Sequence, residues 1–135
     1  MVLTGGCCCG AIRYESTGAA SQPTLCHCPT CRRASGAHSV AWFSVPQAGF
    51  QLLQGTPRRY RSSSHVTRTF CGDCGTPLSY QHDDLPSVLD LTLCALDDPE
   101  ALAPSDQTFC RYRLAWSAGL NSLPALPNSR AEGPG

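Results

Sequence analysis

Apolar and polar residues alternate in short runs along most of the chain. The run Val88-Leu89-Asp90-Leu91-Thr92-Leu93 is the cleanest, as expected of a strand with one buried face. Ala11–Glu15 alternates in the same way, and Ser39–Val45 stops at Pro46. Phe50–Leu53 and Arg58–Arg61 flank a turn at Gly55-Thr56-Pro57. Val66–Phe70 and Leu78–Gln81 flank a group of cysteines, and Phe109–Leu114 is the last candidate strand. Short strands punctuated by Gly and Pro predict a mainly β, mostly antiparallel domain. Helix is expected only in brief turns. Pro29 suits a first helical position, Thr30–Ala34 form one or two turns, and Gly36 ends them as a left-handed cap. Asp97–Leu102 reads as a single turn. From Ser117 onward the chain is rich in Pro, Ala, Asn, Ser and Gly, which reads as a tail that lies on the surface or is disordered.

The chain has 135 residues, enough for one domain, expected over residues 1–127 with 128–135 as a flexible tail. Ten positive and ten negative charges cancel, and every positive charge is an Arg. Without a net charge or a basic cluster, electrostatic binding of nucleic acid is not expected. No apolar run approaches the ~18 residues of a membrane span. The N-terminus lacks the basic and apolar regions of a signal peptide, so a cytoplasmic location is expected. Thiols stay reduced there, which turns the ten cysteines from disulfide partners into metal ligands or catalysts.

Eight of them fall in three tight groups: Cys7, Cys8 and Cys9; Cys26, Cys28 and Cys31; Cys71 and Cys74. Thiolates spaced C-x-C or C-x-x-C bind one metal from one turn, and tetrahedral zinc wants four ligands. Gly10 follows Cys9 and Gly75 follows Cys74, each free to take the positive φ of a metal knuckle. Pairing the two knuckles gives Cys7, Cys9, Cys71 and Cys74 as a closed structural site. Cys26, Cys28 and Cys31 have no fourth partner in sequence, and three ligands with one open position is the pattern of a catalytic zinc. Cys28 would sit at a helix N-terminus, where the macrodipole favours thiolate. A purely architectural second site, closed by His27, His38, Cys94 or Cys110, is the alternative. Iron in place of zinc also fits sulfur-only sites.

Three stretches resemble the motifs of the glutathione-dependent formaldehyde-activating enzymes. They are Gly5-Gly6-Cys7-Cys8-Cys9-Gly10-Ala11-Ile12-Arg13-Tyr14, Cys26-His27-Cys28-Pro29-Thr30-Cys31-Arg32-Arg33 with Gly36, and Arg68-Thr69-Phe70-Cys71-Gly72-Asp73-Cys74-Gly75-Thr76-Pro77-Leu78. Leu96-Asp97-Asp98-Pro99-Glu100 and Trp116 are further landmarks of the resemblance. The resemblance implies a β-tent of antiparallel sheets and two zinc ions. Cys7, Cys9, Cys71 and Cys74 would hold a structural ion, and Cys26, Cys28 and Cys31 a catalytic one. It also implies a carbon–sulfur lyase activity, the addition of glutathione to formaldehyde to give S-hydroxymethylglutathione. The family is broad and takes in centromere protein V, so membership does not by itself specify the substrate.

The expected reaction joins a glutathione-like thiol to a small aldehyde, with the thiol at the fourth zinc position. A non-catalytic zinc module, or a protein that binds thiol or aldehyde without turnover, is the competing function. Arg32 and Arg33 are candidates to grip the carboxylates of the thiol. The His27 side chain is expected to point away from the metal, into packing or the surface. Cys8 is expected to face away from its site, Cys94 and Cys110 to be small buried residues, and Trp42, Phe43 and Trp116 to lie mainly in the core.

Overall fold

The computed structural model describes residues 1–131. The strands are β1 (Leu3–Gly6), β2 (Arg13–Ser16), β3 (Ser21–Cys26), β4 (Val40–Pro46), β5 (Phe50–Gln54), β6 (Arg58–Ser63), β7 (Val66–Phe70), β8 (Pro77–His82), β9 (Val88–Thr92) and β10 (Asp106–Thr108). The α-helix α1 spans Pro29–Ser35. One sheet has the order β1-β2-β5 and the other β10-β3-β4-β9-β8-β7-β6. All pairings are antiparallel except that of β10 with β3.

The alternation read from sequence becomes two faces of the larger sheet. On one face Phe43, Val45, Leu89 and Leu91 join Leu3 and Tyr14 of the smaller sheet in the main core. Phe43 is fully buried and Tyr14 and Leu91 nearly so. Each such apolar side chain contributes about 1.5–3 kcal/mol of transfer free energy. On the other face Trp42 and Val40 join Cys26 and Cys31 in a second, smaller core, against which Cys28 and Tyr80 pack. The metal-binding candidates are thus split between the end of the main core, which contains Cys7 and Cys71, and this second core.

Most strands form within a residue or two of their expected positions, and three were not expected. β1 and β3 contain Gly, Ser, Gln and Pro, so neither has the apolar alternation that marks a strand. β10 has three residues and exists because β3 offers it an edge. The strand expected at Phe109–Leu114 does not form. Phe109 takes a left-handed conformation (φ 54°), which ends the extended chain, and Cys110–Tyr112 coil into a 3-10 turn. Ala11 and Ile12 leave the expected first strand to complete the turn after Cys7, where the Cys7 amide donates to the Ile12 carbonyl at 3.2 Å. The turn expected at Asp97–Leu102 appears as one backbone bond from Ala101 to Asp98, 3.1 Å, and not as a helix. The stretch beyond Ser117 begins in an exposed 3-10 helix, Ala115–Ser122. Part of the tail expected over 128–135 lies outside the described residues.

The smaller sheet is tied to the segment after β9 by Asp97. Its carboxylate accepts from Thr4 Oγ1 at 2.7 Å and from Arg13 Nη1 at 2.8 Å. Arg13 and then Thr4 hold the Asp97 carboxyl down to about 2. The unfolded value is ~3.9. The folded value is the lower one, so the contact stabilises the fold above that pH and is lost as pH falls through the folded value. Both side chains are partly exposed, at 37% and 47%, which limits the contribution to about 1 kcal/mol or less. Asp97→Asn should cost up to that amount at pH 7 in urea melts, with the difference from the parent closing as pH falls towards 2. A gap that persists unchanged at the lowest pH would assign the effect to something other than this ion pair.

Candidate metal centres and the cavity beside them

The first centre is built from two similar turns. Gly10 donates its amide to the Cys7 carbonyl at 3.1 Å, and Gly75 donates to the Cys71 carbonyl at 2.8 Å. Both glycines have positive φ, 81° and 83°, which a side chain would oppose. The Cys7 amide reaches the Ile12 carbonyl and the Cys71 amide reaches the Thr76 carbonyl, so each turn closes five residues on. Backbone amides also point at the sulfurs: Ile12 N–H donates to Cys7 Sγ at 3.2 Å and Asp73 N–H to Cys71 Sγ at 3.4 Å. The Cys8 amide donates to Thr76 Oγ1 at 3.0 Å and fastens one turn to the other. The Thr76 hydroxyl and amide hold the Cys74 thiol down to about 5. Cys8 itself is exposed.

The sulfurs of Cys7, Cys9, Cys71 and Cys74 all lie within 4.8 Å of one another. Cys7 and Cys9 are 3.6 Å apart, and Cys9 and Cys71 are 3.8 Å apart. A tetrahedron of sulfurs ~2.3 Å from a central zinc has edges of about 3.8 Å. The donor set therefore fits a tetrahedral metal ion.

The second centre lies on the opposite face of the larger sheet. Cys26 ends β3, Cys28 is the N-cap of α1, and Cys31 stands in the first turn of the helix. The helix forms as the sequence predicts: Pro29 occupies its first position and Gly36 caps it in the left-handed region, φ 64°. The Cys28 sulfur accepts from the Cys31 amide at 3.2 Å, as a capping Ser or Asp would. Cys26 and Cys31 sulfurs are 3.5 Å apart. Their contact lowers the Cys26 thiol and, together with burial, raises that of Cys31. Among the described residues no His, Cys, Asp or Glu joins this group of three. His27, His38, Cys94 and Cys110 all stand outside it.

A cavity of about 490 Å³ opens over these three sulfurs, with Trp42, Arg68 and Tyr80 among its walls. Its size suits a small-molecule site. Arg68 is the unexpected member. It is nearly buried, and its Nη1 and Nη2 atoms lie 3.7 and 3.6 Å from Cys31 Sγ. Its Nε donates to Ser62 Oγ at 3.0 Å, and its guanidinium lies 5.2 Å from the Tyr80 ring. Phe109 and Tyr112 stand at the margin of the same cavity. Phe109 keeps a left-handed backbone there, a strain of the kind concentrated at ligand sites. A second cavity, about 370 Å³, lies between the sheets and has no cysteine in its walls.

Other candidates stand elsewhere. Arg32 and Arg33 do not reach the cavity over the sulfurs; they lie with His38 and Trp116 in a separate groove, and Arg32 donates to the Tyr112 carbonyl at 3.3 Å. Cys94 and Cys110 are exposed and not buried, because each falls in a 3-10 turn beyond a strand end. Trp116 is exposed and not in the core; it rests edge-on against His38 from the surface helix that carries it. His27 is buried, and its Nε2 pairs with Gln107 Oε1 at 2.8 Å, holding β10 to the end of β3.

The fold and its sulfur clusters define a class: mainly β proteins with two cysteine clusters able to hold metal ions. The chain belongs to the glutathione-dependent formaldehyde-activating enzyme family, whose model matches residues 2–112. It is 32% identical over 85 residues to an uncharacterized lyase of Schizosaccharomyces pombe. That match covers 58% of this chain and 56% of the relative, so the chain spans little more than half of the relative's length. The fold is similar to a crystal structure of a Rhodobacter sphaeroides protein, with a TM-score of 0.65 at 21% identity. The superposition covers 78% of this chain and 99% of the other.

Proposed function

We propose that this chain is a zinc-dependent lyase of the carbon–sulfur type, which adds a glutathione-like thiol to a small aldehyde such as formaldehyde. The observation that carries the reading is the group of three sulfurs, without a fourth protein donor among the described residues, at the wall of a cavity. A purely structural site has no need of such an opening. The β-tent description and two zinc ions per chain belong to the same reading: Cys7, Cys9, Cys71 and Cys74 hold one ion and Cys26, Cys28 and Cys31 the other.

The reaction forms a bond between the thiol sulfur and the aldehyde carbon; the thiol proton is lost and the carbonyl oxygen gains one. A free thiol with pKa ~8.5 is only ~3% ionised at pH 7. Zinc held by the three cysteines supplies a charge that favours full ionisation of a thiol beside it, a gain of about 30-fold in thiolate. Arg68 keeps the Cys31 sulfur in place and offsets the negative charge gathered there. Trp42 and Tyr80 give the cavity apolar walls that hold the two reactants together and limit water. The His27–Gln107 pair fastens β10, and with it the Phe109–Tyr112 turn at the cavity margin.

Purified protein should contain close to two zinc ions per chain. With cobalt in their place, titration with glutathione should alter the absorption bands of one site only. One ion per chain, or bands indifferent to glutathione, would overturn the assignment of the open site.

A further inference from the structure

The floor of the sulfur-lined cavity carries a row of side chains set by strand register. Arg68 of β7 pairs with Tyr80 of β8, Tyr80 with Asp90 of β9, and Asp90 with Ser44 of β4. Arg68 and Asp90 are thus two strands apart, about 10 Å at the usual ~4.8 Å spacing. Tyr80 stands between them, and no ion pair joins them among the described residues.

The two charges are compensated differently. Arg68 lies against the Cys31 sulfur, where thiolates holding a metal ion would balance it. Among the described residues no cation pairs with Asp90. One carboxylate oxygen accepts from Ser44 Oγ at 2.6 Å, and the other has no hydrogen-bond partner among the described residues. Asp90 is half-buried and lines the cavity. A carboxylate partly withdrawn from water without a cation is disfavoured, and burial raises its pKa accordingly. A cationic group on a ligand in the cavity would supply the charge that the surrounding side chains do not.

We propose that Asp90 anchors an ammonium group on the thiol substrate. The thiol would enter at Cys26, Cys28 and Cys31 and its amine would lie against Asp90, farther along the sheet. Cys26 of β3 and Asp90 of β9 flank β4, pairing with Val40 and Ser44, so their backbones stand about 13 Å apart along β4 and about 10 Å across it. The amine is therefore carried many bonds from the sulfur, as in a peptide-like thiol whose free amino group is at the far end. A short aminothiol would not reach both ends. This assignment rests on the thiol-site reading above and adds a specificity determinant to it.

The test compares glutathione with its desamino analogue, in which hydrogen replaces the amino group and the thiol and carboxylates remain. Affinities are measured on the zinc-loaded protein by calorimetry. The parent protein should bind the desamino form about tenfold more weakly, the lower end of what one charge-assisted hydrogen bond supplies. Asp90→Asn should bind both compounds alike, at the weaker level, while keeping its zinc content. Ser44→Ala, which keeps the carboxylate, should retain the difference. Equal binding of the two compounds by the parent protein overturns the proposal without any variant, as does a difference that survives in Asp90→Asn. If neither thiol binds, the thiol-site reading itself fails and the role of Asp90 falls with it.

Discussion

Cys71→Ser is expected to leave the chain unable to hold its native fold at 25 °C. Cys71 is almost fully buried, at 1% exposure, and belongs to the main core as well as to the four-sulfur centre. Its sulfur accepts from the Asp73 amide and lies 3.8 Å from the Cys9 sulfur on the other turn. A metal there joins two turns with residues 10–70 between them, so one ion closes almost half of the chain into a loop. Structural zinc contributes about 10–16 kcal/mol, against about 5–15 kcal/mol for the whole stability of a domain. Serine is a poorer ligand for zinc, and its hydroxyl would stand in an apolar pocket. Circular dichroism should show no cooperative melt, and excess chelator should do the same to the parent protein. A melt within a few degrees of the parent would show that the four sulfurs do not carry the fold.

Cys28→Ser should have the opposite outcome, an intact fold without turnover. Cys28 is only half-buried, and its structural duty is to cap α1 by accepting the Cys31 amide. A serine hydroxyl does that at least as well, so the helix and the second core should persist. The open site, however, keeps only Cys26 and Cys31. Changes to groups that merely support metal ligands typically cost 10–100-fold, so loss of a ligand should cost more than about 100-fold in aldehyde–thiol turnover. The paired readout is the melt, expected to stay within a few degrees, and the rate, expected to collapse. Full activity in this variant would overturn the catalytic reading of the three cysteines.

The two substitutions separate because the sites differ in how the chain makes them. The four-sulfur site joins turns that are distant in sequence; the three-sulfur site comes from one strand end and the helix after it. That difference was visible in the spacing of the cysteines, since C-x-C and C-x-x-C leave few ways to bend. The glycines after Cys9 and Cys74 were equally legible, because a tight turn needs a positive φ there. So were α1, with Pro29 and Gly36 at its ends, and the strands whose alternation is strong.

The polar floor of the cavity was not legible. In the run Val88–Leu93, Asp90 and Thr92 read as the solvent side of a half-buried strand. That side of the larger sheet faces the second core and its cavity, and Thr92 is buried on it. Arg68 was read only as part of a motif, since nothing in the spacing places a residue of β7 against Cys31. Arg32 and Arg33, adjacent to the ligands in sequence, lie in a separate groove because the helix turns them outward. Cys94 and Cys110 have apolar neighbours in sequence but stand in turns, where the chain leaves the sheet.

The sequence by itself determined the mainly β class, the membership of the two sulfur clusters and the short helix that presents one of them. These depend on interactions between residues a few positions apart, whose geometry the backbone constrains tightly. Only the tertiary structure decided which face of the larger sheet meets the open cluster, and therefore that Arg68, Tyr80 and Asp90 line the cavity over it. Strand order and register bring those residues from three separate strands, and neither can be read from local pattern.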